Sequence, residues 1–252
     1  MPKTARKQSE SGYYHVVPKG IAGQTIFGDN QDRRLYLKWL AEAKAQTGFV
    51  LHSYCLMGNH VHLAIEDPSG RLSEAMKYVH ERYGMYYSEK IGRYDGIFRK
   101  PFWSEPIEDD SRLLCTVRYI HANPAAAGIC HASEWPWSSV GDYLGKDDPE
   151  NGGPAFPGLT ETCLALDLLG GREGFVEWSL PAKPTALPFS DSTLKNHLTD
   201  DEAIRLAADI LGHDPRKGCM PEEAKLLLAR NFSVRQIERV AGVSRYRLQK
   251  AS

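Results

Sequence analysis

Along the first part of the chain, apolar positions alternate between a period of two and a period near 3.6. The run Tyr13-Tyr14-His15-Val16-Val17 is aromatic and β-branched and stops at Pro18 and Gly20, which predicts a strand. From Asp29 to Gln46, Leu35, Tyr36, Trp39, Leu40 and Ala43 recur at helical spacing, with Gly48 where a helix would stop. Phe49 to Met57 and His60 to Glu66 are strand-like runs joined by Gly58-Asn59, a connection suited to an antiparallel hairpin. Leu72 to Ile91 predicts a second helix with Met76, Val79, Tyr83 and Tyr86 along one side, and Phe102 to Glu108 a fourth strand. A third helix should start near Asp110, with Asp110 or Ser111 as its cap, and end at Pro124, because the residue before a proline is pushed out of helix. The order βαββαβ predicts a ferredoxin-like α+β fold: an antiparallel sheet with helices on one face, the other face being left for a site.

Beyond Tyr143 the pattern loosens into Gly-, Pro- and Asp-containing stretches, from Gly145 to Gly158 and from Pro181 to Ser192. The tail from Ser233 to Leu248 then reads as a helix, a turn at Gly242 and a second helix from Ser244, the pattern of a helix-turn-helix. The expected organisation is a main domain over residues 1–145, a linker with short helices over 146–195, and a helical, helix-turn-helix-like domain over 196–252. Arg245, Arg247 and Lys250 on the last helix are placed to meet duplex DNA, although a plain helical packing or dimerisation unit fits the same pattern.

Composition narrows the class without naming it. Hydrophobic residues at 42% and charged residues at 25% exclude wholesale disorder. The formal charge of -1 does not favour a nucleic-acid partner, so any positive potential must be local. Five scattered cysteines without a CxxC spacing point away from a disulfide framework or zinc knuckle and towards a reducing compartment. With no long apolar run and no signal-peptide pattern, the cytoplasm is expected and no membrane partner is.

Two short runs carry candidate chemistry. In His60-Val61-His62 the two imidazoles leave the same face of a strand, a geometry that suits one metal ion. In Arg118-Tyr119-Ile120-His121-Ala122-Asn123-Pro124, Tyr119 and Asn123 are four apart and share one side of the third helix, at the margin of the stripe Leu113, Val117 and Ile120. Each run alone also fits ordinary roles: histidines that are merely solvated or hydrogen-bonded, a packing tyrosine, an asparagine that satisfies the helix end. His121 lies roughly 200° round the helix from Tyr119 and is a poor general base, whereas His15 is a looser site-lining candidate.

These runs sit among others in a familiar order. Ser11-Gly12-Tyr13-Tyr14-His15-Val16, Ile26-Phe27, Tyr54-Cys55-Leu56-Met57-Gly58-Asn59-His60-Val61-His62, Gly96-Ile97-Phe98 with Arg99-Lys100-Pro101-Phe102, Tyr119 to Pro124, Gly128-Ile129 and Trp137-Ser138-Ser139 follow one another. Over residues 9 to 143 the chain resembles the REP-associated tyrosine transposases, within the single-tyrosine HUH transposases of the IS200-like group. The resemblance implies that His60 and His62 bind a divalent metal, Mg2+ or Mn2+, with Asn123 as third protein ligand, and that Tyr119 is the nucleophile. It further implies single-stranded DNA cleavage and strand transfer through a 5′-phosphotyrosine at hairpin-forming repeats. Gly58 where proline is usual, Lys100-Pro101 where Gly-Arg is common, and Ala125 to Ala127 where basic residues often stand are departures that bear on DNA affinity rather than on the catalytic set.

A phenol with a pKa near 10 needs an electrophilic phosphorus and a stabilised leaving oxygen, which a bound cation supplies. By ligand softness Mn2+ should serve better than Mg2+ in vitro. Tyr78, Tyr83, Tyr86, Tyr87 and Tyr94 are rival nucleophiles without a polar neighbour at helical spacing. Lys3, Arg6, Lys7, Arg99 and Lys100 are candidate DNA contacts, with solvated surface charge as the ordinary alternative. Competing functions are a non-catalytic or regulatory nucleic-acid binder derived from a transposase and a metal-dependent phosphohydrolase that needs no tyrosine. Monomer and homodimer are both compatible with the sequence.

Overall fold

The computed structural model describes residues 8–146 apart from 93 and 95, residues 156–180, and towards the C-terminus residues 204, 207, 208, 211–220, 223, 224, 227 and 234–243. The chain divides into two compact units, residues 1–188 and 189–252.

The first unit runs β1 (Tyr13–Val17), α1 (Asn30–Thr47), β2 (Val50–Leu56), β3 (Val61–Glu66), α2 (Leu72–Ile91), β4 (Trp103–Ile107) and α3 (Asp110–Ala126), followed by α4 (Val140–Leu144), α5 (Cys163–Leu169) and α6 (Arg172–Ser179). The four strands form one antiparallel sheet in the order β2-β3-β1-β4, the order expected for a ferredoxin-like α+β unit.

One face of the sheet is closed by α1 and α2. Tyr14 and Val16 from β1, Leu51, Tyr54 and Leu56 from β2, and Val61, Leu63 and Ile65 from β3 pack there with Tyr36, Leu37, Leu40, Met76, Val79 and Tyr83. Leu51 and Tyr54 share that face although they are three apart, because β2 slips its register between Leu51 and Ser53. Helix α1 starts on a capping box between Asp29 and Asp32, and the fully buried Asp32 ties it to α2 by accepting from the Tyr86 hydroxyl at 2.7 Å and Lys90 Nζ at 2.5 Å. A buried charge paired this way holds the two helices in one register.

The second face is where α3 lies, and it is covered rather than open. Cys55, Ala64 and Ile107 of the sheet meet Leu113, Val117 and Ile120 of the helix, extended by Tyr143 of α4 and Phe175 of α6. Helix α3 differs from expectation at both ends. Asp109, not Asp110 or Ser111, is the cap, accepting from the Arg112 amide at 2.8 Å. The helix also continues through Pro124 to Ala126. Proline removes the amide that would bond the Ile120 carbonyl. Asn123 Nδ2 compensates, donating to Tyr119 O at 2.8 Å and to Ile120 O at 3.4 Å.

In the second unit Ala207, Ala224, Leu227, Ile237, Val240 and Val243 form a small apolar cluster around α7 (Val234–Ala241). Gly242 follows at φ 66°, a conformation that glycine adopts at little cost. Of the expected helix-turn-helix, residues 244–252, and with them Arg245, Arg247 and Lys250, lie outside the described residues, as do Lys3, Arg6 and Lys7 at the other end. No helix among the described residues is long and apolar enough to cross a membrane.

Candidate active site

The site grows from alternation along two strands. On β3, residues with even numbers face α3, so His62 points at the helix; His60, just before the strand, follows the same phase. On β1 the odd residues do so, and His15 pairs with Ala64 across β1–β3, one diagonal step from His62. Three imidazoles thus converge. His60 and His62 stand with ring centroids 4.8 Å apart and planes at 86°, and His15 Nε2 lies 3.0 Å from His62 Nδ1.

Helix α3 brings the oxygen chemistry. The Tyr119 ring stands perpendicular to His62 at 5.5 Å and at 78° to His15 at 5.9 Å. One turn later, Asn123 has both amide hydrogens turned to the helix backbone, so its carbonyl oxygen is the end left for His62, whose charged form it favours. One side chain therefore does two jobs, repairing the helix at Pro124 and offering an oxygen to the site.

Electrostatics keep the rings neutral. Burial, with the neighbouring His60, pushes His15 down to about 3. Burial, with the charge of Lys19, does the same to His60. His62 falls well below its ordinary value, again chiefly through burial. Neutral imidazoles keep a lone pair for a cation.

The residues present fit a divalent ion. His62 Nε2 is a buried nitrogen with no hydrogen-bond partner, and His60 Nδ1 is held by Asn59 Oδ1 at 2.6 Å, which leaves His60 its other nitrogen. Two imidazoles and an amide oxygen make a partial shell that phosphate oxygens would complete. Among the described residues no group of three His, Cys, Asp or Glu side chains could hold an ion alone.

Other candidates separate cleanly. The α2 tyrosines lie on the opposite face with their hydroxyls engaged: Tyr78 with Glu42, Tyr83 with Ile26 O, Tyr86 with Asp32 and Tyr87 with Thr25 O. Tyr94 is on the surface. His121 points away from Tyr119, its Nε2 2.8 Å from Ser139 Oγ and its ring against Tyr143 and Phe175. Arg99 and Lys100 are exposed, and the Arg99 amide donates to Lys19 O at 2.8 Å, which ties this segment to the strand end beside His60.

Sequence reasoning missed Lys19, Asn59, Trp103 and Glu105. Trp103 stands edge-on to His15 at 5.3 Å, and Glu105 lies opposite His15 across β1–β4. Asn59 was findable, since a histidine offered as a candidate metal ligand needs a partner for its second nitrogen. The other three depend on strand pairing. At Gly58, where proline is usual, a Cβ would meet nothing within 4 Å, so the turn has room for a side chain and this departure does not reflect crowding.

Residues 8–123 match the family described as IS200-like transposases. None of the curated proteins compared matches the chain. Among solved structures, one of a REP-associated tyrosine transposase bound to a REP hairpin shares 18% identity, covering 64% of this chain and 98% of that one, with a TM-score of 0.49. A transposase structure from Deinococcus radiodurans R1 shares 16% identity over 44% of this chain and 90% of that one, with a TM-score of 0.33.

Proposed function

We propose that the chain, whose residues 8–123 match the IS200-like transposases, cleaves and rejoins single-stranded DNA with Tyr119 as nucleophile and His60, His62 and Asn123 as metal ligands. A DNA transposase of this kind must break a phosphodiester without losing its energy. The phenol oxygen of Tyr119 forms a bond to phosphorus while the bond to the 3′ oxygen breaks. The phenol proton passes to solvent and the departing 3′ oxygen takes one up. One phosphodiester has replaced another, so a second 3′-OH can reverse the step and join a new strand.

A divalent ion, when bound, polarises a non-bridging phosphate oxygen and places the phosphate in line with the attacking oxygen. His62 and His60 would hold that ion as neutral donors, and Asn123, fixed by its two bonds to the helix backbone one turn from Tyr119, would offer its carbonyl oxygen. The observation that carries the reading is the convergence of the buried His62 ring with His60, the Tyr119 ring and the carbonyl oxygen of Asn123. Hairpin-forming repeats as the substrate and Mn2+ or Mg2+ as the ion follow from the motif resemblance. Duplex contact through the C-terminal unit and a cytoplasmic setting belong to the same proposal.

The test is a DNA adduct that survives SDS. Wild-type protein with a hairpin-bearing single-stranded oligonucleotide and Mn2+ should form it, and Tyr119→Phe should reduce its rate roughly 10³-fold or more. DNA binding without any adduct in wild type would move the function to a non-catalytic binder, and cleavage surviving in Tyr119→Phe would move it to a hydrolase.

A further inference from the structure

His15 lies outside the proposed ligand set, yet it makes the closest polar contact that His62 has. Its Nε2 is 3.0 Å from His62 Nδ1, both residues are fully buried, and the two ring planes are within 19° of parallel. The ring centroids are 5.2 Å apart, which leaves about one imidazole radius on either side of the 3.0 Å contact. The rings therefore meet edge to edge in nearly one plane, where a nitrogen lone pair and an N–H point straight at each other. This is an in-line hydrogen bond rather than a face-to-face stack.

One proton is shared in that contact, and its position decides what His62 can do. If His15 donates, His62 accepts at Nδ1 and carries its proton on Nε2, which then has no lone pair for a cation. If His62 donates from Nδ1, its Nε2 lone pair is free towards Tyr119 and Asn123, and His15 carries its proton on Nδ1. We propose that His15 is the positioning residue that accepts this hydrogen bond and so holds His62 in the one tautomer and ring orientation that can bind the metal. The inference rests on the metal-site reading of His62 given above.

His15 is enclosed on several sides. Trp103 stands edge-on at 5.3 Å and 88°, and Tyr119 at 5.9 Å and 78°, while the β1 backbone is paired on both sides, with β3 and with β4. Its Nδ1 is buried and makes no hydrogen bond, so the contact with His62 is the one polar contact that sets the orientation of the ring. Tyr119 touches both imidazoles, which places the nucleophile against the same relay that aims the ligand.

Two substitutions separate the acceptor from the ring. In His15→Gln the side-chain oxygen can occupy the place of Nε2 and accept from His62. In His15→Phe the ring remains but the acceptor is gone. Mn2+ binding to the full-length protein without DNA, followed by the electron paramagnetic resonance signal of free Mn2+, should be within a few-fold of wild type for His15→Gln and about 10- to 100-fold weaker for His15→Phe. His62→Ala serves as the reference for a lost ligand. If wild type binds, His62→Ala does not, and His15→Phe binds like wild type, the inference fails while the metal site stands. If His15→Gln is as weak as His15→Phe, the acceptor is not the reason and the inference also fails. If wild type binds no Mn2+, both fall.

A measurement without substitution covers the case in which His15→Phe does not fold. In the Mg2+-loaded protein, long-range proton–nitrogen correlation spectra of ¹⁵N-labelled histidines should show His62 and His15 each protonated at Nδ1. A His15 ring protonated at Nε2 would overturn the assignment.

Discussion

Helix α3 separates two buried histidine regions that look alike by burial and differ in what surrounds them. On one side His62 meets His15, His60, Asn123 and Tyr119; on the other His121 meets the Ser139 hydroxyl at 2.8 Å, the Ser53 hydroxyl at 3.4 Å, and the rings of Tyr143 and Phe175. Both imidazoles are pushed strongly towards the neutral form by burial, and each keeps one nitrogen without a partner, Nε2 in His62 and Nδ1 in His121. Burial, a depressed pKa and an orphaned nitrogen are therefore not enough to mark a reactive site. What distinguishes the first region is convergence: several metal-capable donors and the Tyr119 ring meet there, whereas His121 is walled in by aromatic rings and by the Ser139 hydroxyl, itself bonded to the Tyr54 backbone.

The sharpest way to break that contrast is to remove each ring in turn. His62→Ala should cut adduct formation about 10²- to 10³-fold, comparable to losing a principal electrostatic contributor elsewhere, and lowering the temperature to offset any loss of stability should not restore it. His121→Ala should do the opposite, destabilising the protein by about 2–4 kcal/mol through a cavity and stranded serine hydroxyls while adduct formation at low temperature is kept. Calorimetry and the adduct assay on the same two variants decide it; equal loss of activity in both would erase the distinction.

Metal linkage is the next largest effect. Mn2+ at about 100 times its Kd should stabilise the wild-type fold by about 2.7 kcal/mol, and EDTA should reverse this. His121→Ala should keep the increment and His62→Ala should lose it, read as the shift in thermal midpoint with and without Mn2+.

Acid should act on the His121 region through linkage. The folded-state value of His121 is about 3 against about 6.5 for a free imidazole. Its contribution to stability is complete above pH 6.5 and is lost progressively as the pH falls towards 3, at up to about 1.4 kcal/mol per pH unit. A His121→Asn variant should show a flatter fall in denaturant midpoint between pH 6.5 and pH 5 than wild type. An identical slope would show that His121 is not buried neutral.

The smallest expected effect lies outside both regions. Arg99 and Lys100 are exposed, and replacing either by alanine should weaken single-stranded DNA binding only a few-fold at physiological salt and reduce the salt slope of binding by about 0.7. Fluorescence anisotropy across a salt series measures this, and an unchanged slope would remove that residue from the DNA path.

Much of this is legible in the sequence. The strand and helix periods predict the element order of the first unit, and the two-residue spacing of His60 and His62 and the four-residue spacing of Tyr119 and Asn123 place each pair on one face. The reach of α3 past Pro124 is not legible, because local preference disfavours it and only the Asn123 side chain supplies the missing donor. The cover on the second face is not legible either: α5 and α6 lie between the two loose stretches, and nothing local shows that Phe175 stacks on Tyr143 at 4.6 Å.

By itself the sequence determined which residues could carry the chemistry and which faces of their elements they occupy, since both depend on backbone periods that are local. Only the tertiary structure decided that His15 meets His62, that burial, with a smaller contribution from Lys19, keeps His60 and His62 neutral, and that His121 is turned to the other side. Those facts depend on the register of β1 against β3 and on how α3 lies across the sheet. Residues 47 positions apart come within hydrogen-bonding distance only once non-local pairing is made.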